Sequence, residues 1–195
     1  MSAKLISIIG PPAAGKTTLA EALAERLDGE VIYEDYAGNP FLAASYLGDP
    51  TARLPAQLYY LMSRVKQLAL PSWPERGLRI SDYGFCHDRV YARRQLAAEE
   101  WNLYDRVARR LETRIKPPDL LIHVDAAEDE LLRRIGSRGR AFEGAMNADF
   151  LAELRRAYEA ISGETAAVIR LSADAMDFRD APAMDALAGR VREQL

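Results

Sequence analysis

Leu5-Ile6-Ser7-Ile8-Ile9-Gly10-Pro11-Pro12-Ala13-Ala14-Gly15-Lys16-Thr17-Thr18 is the stretch that decides the fold. Its first five residues are short, apolar and mostly β-branched, and they end at Gly10-Pro11-Pro12, so they predict a buried strand. Gly10 to Thr17 then fits G-x-x-x-x-G-K-[ST] at every fixed position. Thr17 to Leu27 carries Leu19, Ala20, Leu23, Ala24 and Leu27 at helical spacing and stops at Asp28-Gly29. A strand, a glycine-bent loop and a helix start in that order make an anion cradle. The loop turns the backbone N–H groups of Gly10, Ala13, Ala14, Gly15, Lys16, Thr17 and Thr18 toward phosphate oxygens, and the helix aims its positive end at the same place. Lys16 is placed to reach the terminal phosphates and the Thr17 hydroxyl to ligand Mg2+. The sequence therefore predicts a protein that binds ATP or another nucleoside triphosphate together with magnesium.

Working outward, Val31-Ile32-Tyr33 predicts a second strand. Asn39 to Leu70 is helical in two pieces broken around Gly48-Asp49-Pro50, and Leu78 to Ser81 is a third strand. One long helix is expected from about Asp88 to Ile115, stopped by Pro117-Pro118. Leu120 to Val124 predicts a fourth strand and Ala167 to Leu171 a fifth. Helices are expected over Glu128–Ile135, Ala148–Ile161 and Pro182–Leu195. Strands alternating with helices imply right-handed crossovers and a parallel sheet covered on both faces. Gly136 to Gly144 is rich in glycine and arginine together, a composition suited to a mobile flap on one domain.

Composition narrows the class. At 195 residues, 49% hydrophobic and 28% charged, the chain can bury one sizeable core. A net charge of −3 argues against nucleic acid or an acidic membrane as partner. Cys86 is the single cysteine, so a disulfide framework is excluded and a reducing, cytoplasmic location is expected. Leu5 to Ile9 is too short for a signal peptide, and no apolar run approaches the ~20 residues of a membrane span. His87 and His123 are isolated and, with Trp73 and Trp101, suit packing better than metal ligation.

Three kinds of triphosphate protein compete. A GTP switch needs N-K-x-D, and none of Asn39, Asn102 and Asn147 is followed by lysine. A motor ATPase needs apolar residues ending in Asp-Glu, but Leu120 to Asp125 continues with Ala126. Asp125 is thus expected to be a strand-end carboxylate without chemical duty. A kinase of a small molecule is the strongest class.

Further residues carry a resemblance to one family. Glu34 precedes Asn39-Pro40 by five positions, Tyr46 and Gln57 lie eleven apart, and Arg64 follows Gln57 by seven. Asp88-Arg89 is followed by Val90-Tyr91-Ala92. Arg134, Arg138, Gly139 and Arg140 form an arginine-rich stretch trailed by Glu143. In order and spacing, from the phosphate loop to about Tyr158, this resembles the deoxynucleoside kinases, although the Asp-Arg segment is one residue shorter than theirs.

The resemblance implies an α/β, three-layer P-loop nucleoside/nucleotide kinase-like fold with a five-stranded parallel sheet. Residues 1–195 would form one domain, with a mobile lid over about 134–144. It implies Glu34 as the base on a nucleoside 5′-hydroxyl, just past a strand end where ligands bind in such sheets. Lys16, Arg134, Arg138 and Arg140 would neutralise the transferring phosphate, and Thr17 and Asp82 would hold Mg2+. Gln57 and Arg64, two turns apart on one helix face, would read the base with Asp88, favouring purine or cytosine over thymine. Tyr46 and Glu143 would bind the sugar 3′-hydroxyl. A homodimer is implied, with a small-molecule deoxynucleoside as substrate in nucleotide salvage and no nucleic acid or membrane as partner.

One position departs from the pattern. The family follows its strand-end acid with an arginine at the transferred phosphate, and here that place is Tyr83. Arg79, Arg89 or a lid arginine is expected to substitute. Two alternatives stay open at this point: a kinase for another small acceptor, and a nucleotide-binding regulator without turnover.

Overall fold

The computed structural model describes residues 3–140, 143–144, 146–164 and 167–195, with the backbone alone over 162–164. Five parallel strands, β1 (Lys4–Ile9), β2 (Glu30–Ile32), β3 (Leu78–Ser81), β4 (Leu120–Asp125) and β5 (Val168–Ser172), form one sheet in the order β2-β3-β1-β4-β5. β1 sits at its centre, with Ile6 opposite Ile80 of β3 and Leu120 of β4. The pleat sends Leu5 and Ile9 to one face and Ile6 and Ile8 to the other, which is why four of the six β1 residues are apolar.

Helices cover both faces. Leu19, Ala20 and Leu23 of α1 (Lys16–Leu27) pack against Ile6, Ile8, Ile80 and Ile122. Leu131 and Ile135 of α6 (Glu128–Arg138) and Met184, Leu187 and Val191 of α8 (Ala181–Gln194) join the same core. On the opposite face Leu5 meets Leu61 and Leu68 of α3 (Pro50–Leu68), with Ala92 of α4 (His87–Gln95) and Tyr104 and Ala108 of α5 (Ala98–Glu112). Leu154 and Tyr158 of α7 (Ala148–Glu164) close over Ile9 and Leu121. A short α2 (Leu42–Tyr46) precedes α3, whose start is fixed by Asp49 accepting from the Thr51 N–H at 2.8 Å and by Pro50 in the first turn.

The three-layer α/β fold is as expected, and two local expectations are corrected. The long helix over Asp88–Ile115 is two helices, α4 and α5, separated at Leu96-Ala97 without glycine or proline. Glu100 stabilises the second start by accepting from the Ala97 N–H at 3.1 Å. The glycine- and arginine-rich stretch is not all loop: α6 continues to Arg138 and ends at Gly139, whose φ of +66° suits a helix C-terminus. Residues 141 and 142 of the lid expected over 134–144 lie outside the described residues. Among the described residues no helix is long and apolar enough to cross a membrane.

Candidate active site

The carboxyl ends of β1, β2 and β3 open into a cavity of about 960 Å³. Gly10 leaves β1 at φ +144°, and a Cβ there would stand 2.0 Å from the Val124 carbonyl oxygen. Only glycine lets the loop pass the end of β4 this closely. Gly15 and Ala13 also take positive φ, +94° and +62°, which curls the loop toward the cavity. Lys16 Nζ donates to the Gly10 and Pro11 carbonyls at 3.0 and 2.8 Å, so the ammonium is folded across the loop. Burial lowers its pKa to about 8, against the pull of Glu34 and Asp82.

Two further strand ends supply carboxylates. Thr17 Oγ1 donates to Asp82 Oδ2 at 2.7 Å, and Asp82 Oδ1 accepts from the Glu34 N–H at 2.8 Å. Asp82, just past β3, thereby ties the phosphate loop to the segment after β2. Burial raises its pKa. A hydroxyl and a carboxylate in contact are hard oxygen donors that suit Mg2+, which takes few protein ligands and completes its shell with water and phosphate. The donor set fits the metal.

Arg64 lies deeper, 3% exposed, between two carboxylates. Its Nη1 meets Asp88 Oδ1 at 2.6 Å, and its Nη2 pairs with Glu34 Oε1. Glu34, thirty positions away, thus shares the guanidinium with Asp88. While all three are ionised the trio carries a net negative charge, and burial pushes Asp88 up to about 7. Among the described residues, the Arg64 Nε and the Asp88 Oδ2 are buried without a partner. Both belong to cavity-lining residues, so a ligand edge that reached them would satisfy an acceptor with one and a donor with the other. Gln57, one helical face along, lines the same wall.

The opposite wall is basic. Arg134 pairs with Glu130 at 2.6 Å and donates to the Ala173 carbonyl at 3.1 Å. Arg138 Nε and Arg140 Nη1 both donate to Glu143, at 3.1 and 3.4 Å. Arg140 also lies 3.8 Å above the Tyr36 ring. Tyr46 faces this group from α2, its phenol pKa raised by burial and then by Glu34 and Glu143. Every residue expected to hold nucleotide, metal or substrate or to act in transfer, apart from Ala14 at the buried back of the loop, lines this one cavity.

Tyr83 does not. It is fully buried in the α3–α5 core, its hydroxyl donates to Gln67 Oε1 at 2.5 Å, and its ring lies 5.0 Å beneath the Arg64 guanidinium. The chain turns at this position so that the side chain enters the core, and an arginine here would bury its charge. Neither Arg79 nor Arg89 lines the cavity in its place. Arg79 is paired with Glu30 at 2.9 Å, and Arg89 with Asp105 at 2.6 Å. Arg134, Arg138 and Arg140 remain as the cavity's expected cations.

Several lining residues carried no assigned role in the sequence reading. Gln95 and Tyr91 belong to α4, and Tyr36 follows β2. The turn from Ala173 to Arg179 beyond β5 brings Phe178 against Gly15 and adds Arg179 to the basic wall. Arg179 stands one residue after Phe178 without a motif to mark it. Asp125, as expected, is structural: Arg155 grips both its oxygens, at 2.8 and 2.7 Å.

The deoxynucleoside kinase family model matches residues 6–193, which is nearly the whole chain. The protein belongs to the deoxynucleoside kinase family. Among its relatives, a deoxyguanosine kinase of Bacillus subtilis is 31% identical over 161 residues, 81% of this chain and 78% of the relative. A deoxyadenosine kinase of Dictyostelium discoideum is 32% identical over 158 residues, 78% of this chain and 64% of the relative. The fold matches a deoxyadenosine kinase from M. mycoides solved with dCMP and dCDP, with a TM-score of 0.80 and 20% identity over 97% of this chain and 98% of that one. The same enzyme has been solved with dATP and with dCTP bound. The chain is therefore a kinase that transfers phosphate to a nucleoside 5′-hydroxyl.

Proposed function

We propose that this kinase favours purine or cytosine deoxynucleosides over thymidine, takes phosphate from ATP or another nucleoside triphosphate with Mg2+, and uses Glu34 as the base. The observation that carries the reading is the convergence of Glu34, Arg64 and Asp88 from three separate elements onto one wall, next to the Thr17–Asp82 pair.

Phosphoryl transfer needs position and charge neutralisation more than covalent chemistry. The curled loop and the α1 N-terminus hold the donor phosphates, and Lys16 exchanges its two carbonyl partners for phosphate oxygens. Thr17 and Asp82 would hold Mg2+, which when bound neutralises phosphate charge. Arg64 fixes one oxygen of Glu34, leaving the other to accept the proton of the 5′-hydroxyl as the bond to phosphorus forms. Gln57 and the unpaired atoms of Arg64 and Asp88 take the base edge, while Tyr46 and Glu143 take the 3′-hydroxyl. Arg134, Arg138 and Arg140 act as a lid: they release Glu130 and Glu143 and meet the equatorial oxygens of the transferring group.

The homodimer implied by the resemblance belongs to the same proposal and is read by sedimentation. Function is tested by a coupled ADP assay on deoxyadenosine, deoxyguanosine, deoxycytidine and thymidine, with the 5′-monophosphates identified. Purine or cytosine deoxynucleosides at least ~10-fold ahead of thymidine in kcat/KM support the reading. Equal use of all four, or a lead for thymidine, contradicts it.

A further inference from the structure

Gln95, the last residue of α4, lines the cavity wall across from Gln57 of α3. Gln57 Nε2 donates to Gln95 Oε1 at 2.9 Å across thirty-eight positions of sequence. Gln57 is buried and Gln95 half-buried. Among the described residues, the only hydrogen bond of either side-chain amide is the one to the other. Their separation is held by the backbone, since Arg53 of α3 reaches the Gln95 carbonyl at 3.5 Å and α4 ends there with the Leu96 N–H on the Ala92 carbonyl.

A primary amide carries a donor on one arm and an acceptor on the other. If both side chains turn over, Gln95 Nε2 donates to Gln57 Oε1 at the same spacing, and the pair is satisfied equally well. If only one turns, two oxygens or two NH2 groups face each other. The amides therefore turn together, and the state of Gln95 dictates which arm of Gln57 meets the ligand. Purines come in two inverse patterns at the edge such an amide reads. A 6-aminopurine shows an acceptor at N1 beside a donor at N6, whereas a 6-oxopurine shows a donor at N1 beside an acceptor at O6.

We propose that Gln95 is a specificity-setting residue that positions the Gln57 amide, and that this coupled pair lets one pocket accept both 6-amino and 6-oxo purine deoxynucleosides. The inference rests on the reading of Gln57 as facing the base. A partner able only to accept, or only to donate, would leave Gln57 one orientation and the mismatched purine an unpaired buried edge.

The direct probes are deoxyadenosine and deoxyinosine, which differ only at N1 and C6. The parent enzyme should use them within ~10-fold of each other in kcat/KM, and a gap of ~10³-fold would overturn the proposal. Gln95→Glu accepts only, Gln95→Lys donates only, and Gln95→Met does neither. Relative to Gln95→Met, the first two should move the deoxyadenosine-to-deoxyinosine ratio in opposite directions and differ from each other by ~10-fold or more. Ratios that move in the same direction, or that coincide within about twofold in folded variants, would show that Gln95 merely fills space. A parent that phosphorylates deoxycytidine alone would overturn this proposal and leave the reading of Gln57 standing, whereas a lead for thymidine would overturn that reading itself. The parent comparison decides the matter even if a charged variant does not fold.

Discussion

The two walls of the cavity are built on different principles. On one, Asp82, Asp88, Arg64 and Gln57 are 2–7% exposed, and each is held by a strand end or a packed helix. On the other, the side chains of Arg134, Arg138 and Arg140 are 27–34% exposed and lean on Glu130 and Glu143. The first wall has its working geometry before any ligand arrives, because burial and tertiary hydrogen bonds fix it. The second holds its cations in ion pairs with Glu130 and Glu143, which under the proposed function exchange partners when phosphate enters. On the proposed roles, acceptor recognition is preorganised, and neutralisation of the transferring phosphate is conditional on that exchange.

Removing the cation of the phosphate loop, which both walls face, should cost most. Lys16→Ala is expected to lower kcat by ~10³-fold or more while the melting temperature stays within a few degrees, because Nζ touches only loop carbonyls. Turnover within twofold of the parent would remove the phosphate loop from the mechanism. On the conditional side, Arg138→Gln should lower kcat by ~10–10²-fold with little change in the KM for deoxynucleoside. Arg133→Gln should stay within about twofold, since that side chain is 65% exposed and paired with Glu130. If the two variants behave alike, the basic wall acts as a diffuse field rather than through placed groups.

A smaller effect sharpens the electrostatics of the fixed wall. Asp88 is raised to about 7 by burial, so the folded protein holds a proton that the unfolded chain releases near pH 4. Its contribution to stability is therefore largest at low pH and declines as pH rises toward 7, by at most about 1.4 kcal/mol per pH unit. His87 and His123, buried and held neutral, tilt the curve the other way below their usual range. The stability of the parent minus that of Asp88→Asn, measured by urea titration, isolates the acid and should fall between pH 4 and 7. A flat difference would show that Asp88 is ionised throughout. The smallest expected change is at Tyr83→Phe, which loses one hydrogen bond to Gln67 and about 1 kcal/mol of stability, with turnover within about twofold.

The same division explains what could be read from the sequence. The phosphate loop was legible because it is local: a strand, eight contiguous residues and a helix start. Glu34, Gln57, Arg64 and Asp88 were legible as spacings, but the ion pair between Glu34 and Arg64 was not, because only tertiary packing brings these residues together. Gln95 left no signal at all, since its partner is remote and its type is common in helices. The break between α4 and α5 was hidden because apolar periodicity runs through Leu96 without a glycine or proline. Tyr83 was legible only as a position along the chain. The pattern gave its position after the strand-end acid, and nothing in the pattern said that the side chain turns into the core.

The claim that the Glu34–Arg64–Asp88 trio places a base beside the phosphate loop is met most directly by steady-state kinetics of Glu34→Gln on the preferred deoxynucleoside. Amide and carboxylate are nearly isosteric, yet only the carboxylate takes the proton. The account predicts kcat lower by ~10²-fold or more, with the KM for deoxynucleoside changed less than about threefold. A preserved kcat with a collapse in affinity would contradict it and make Glu34 a binding residue.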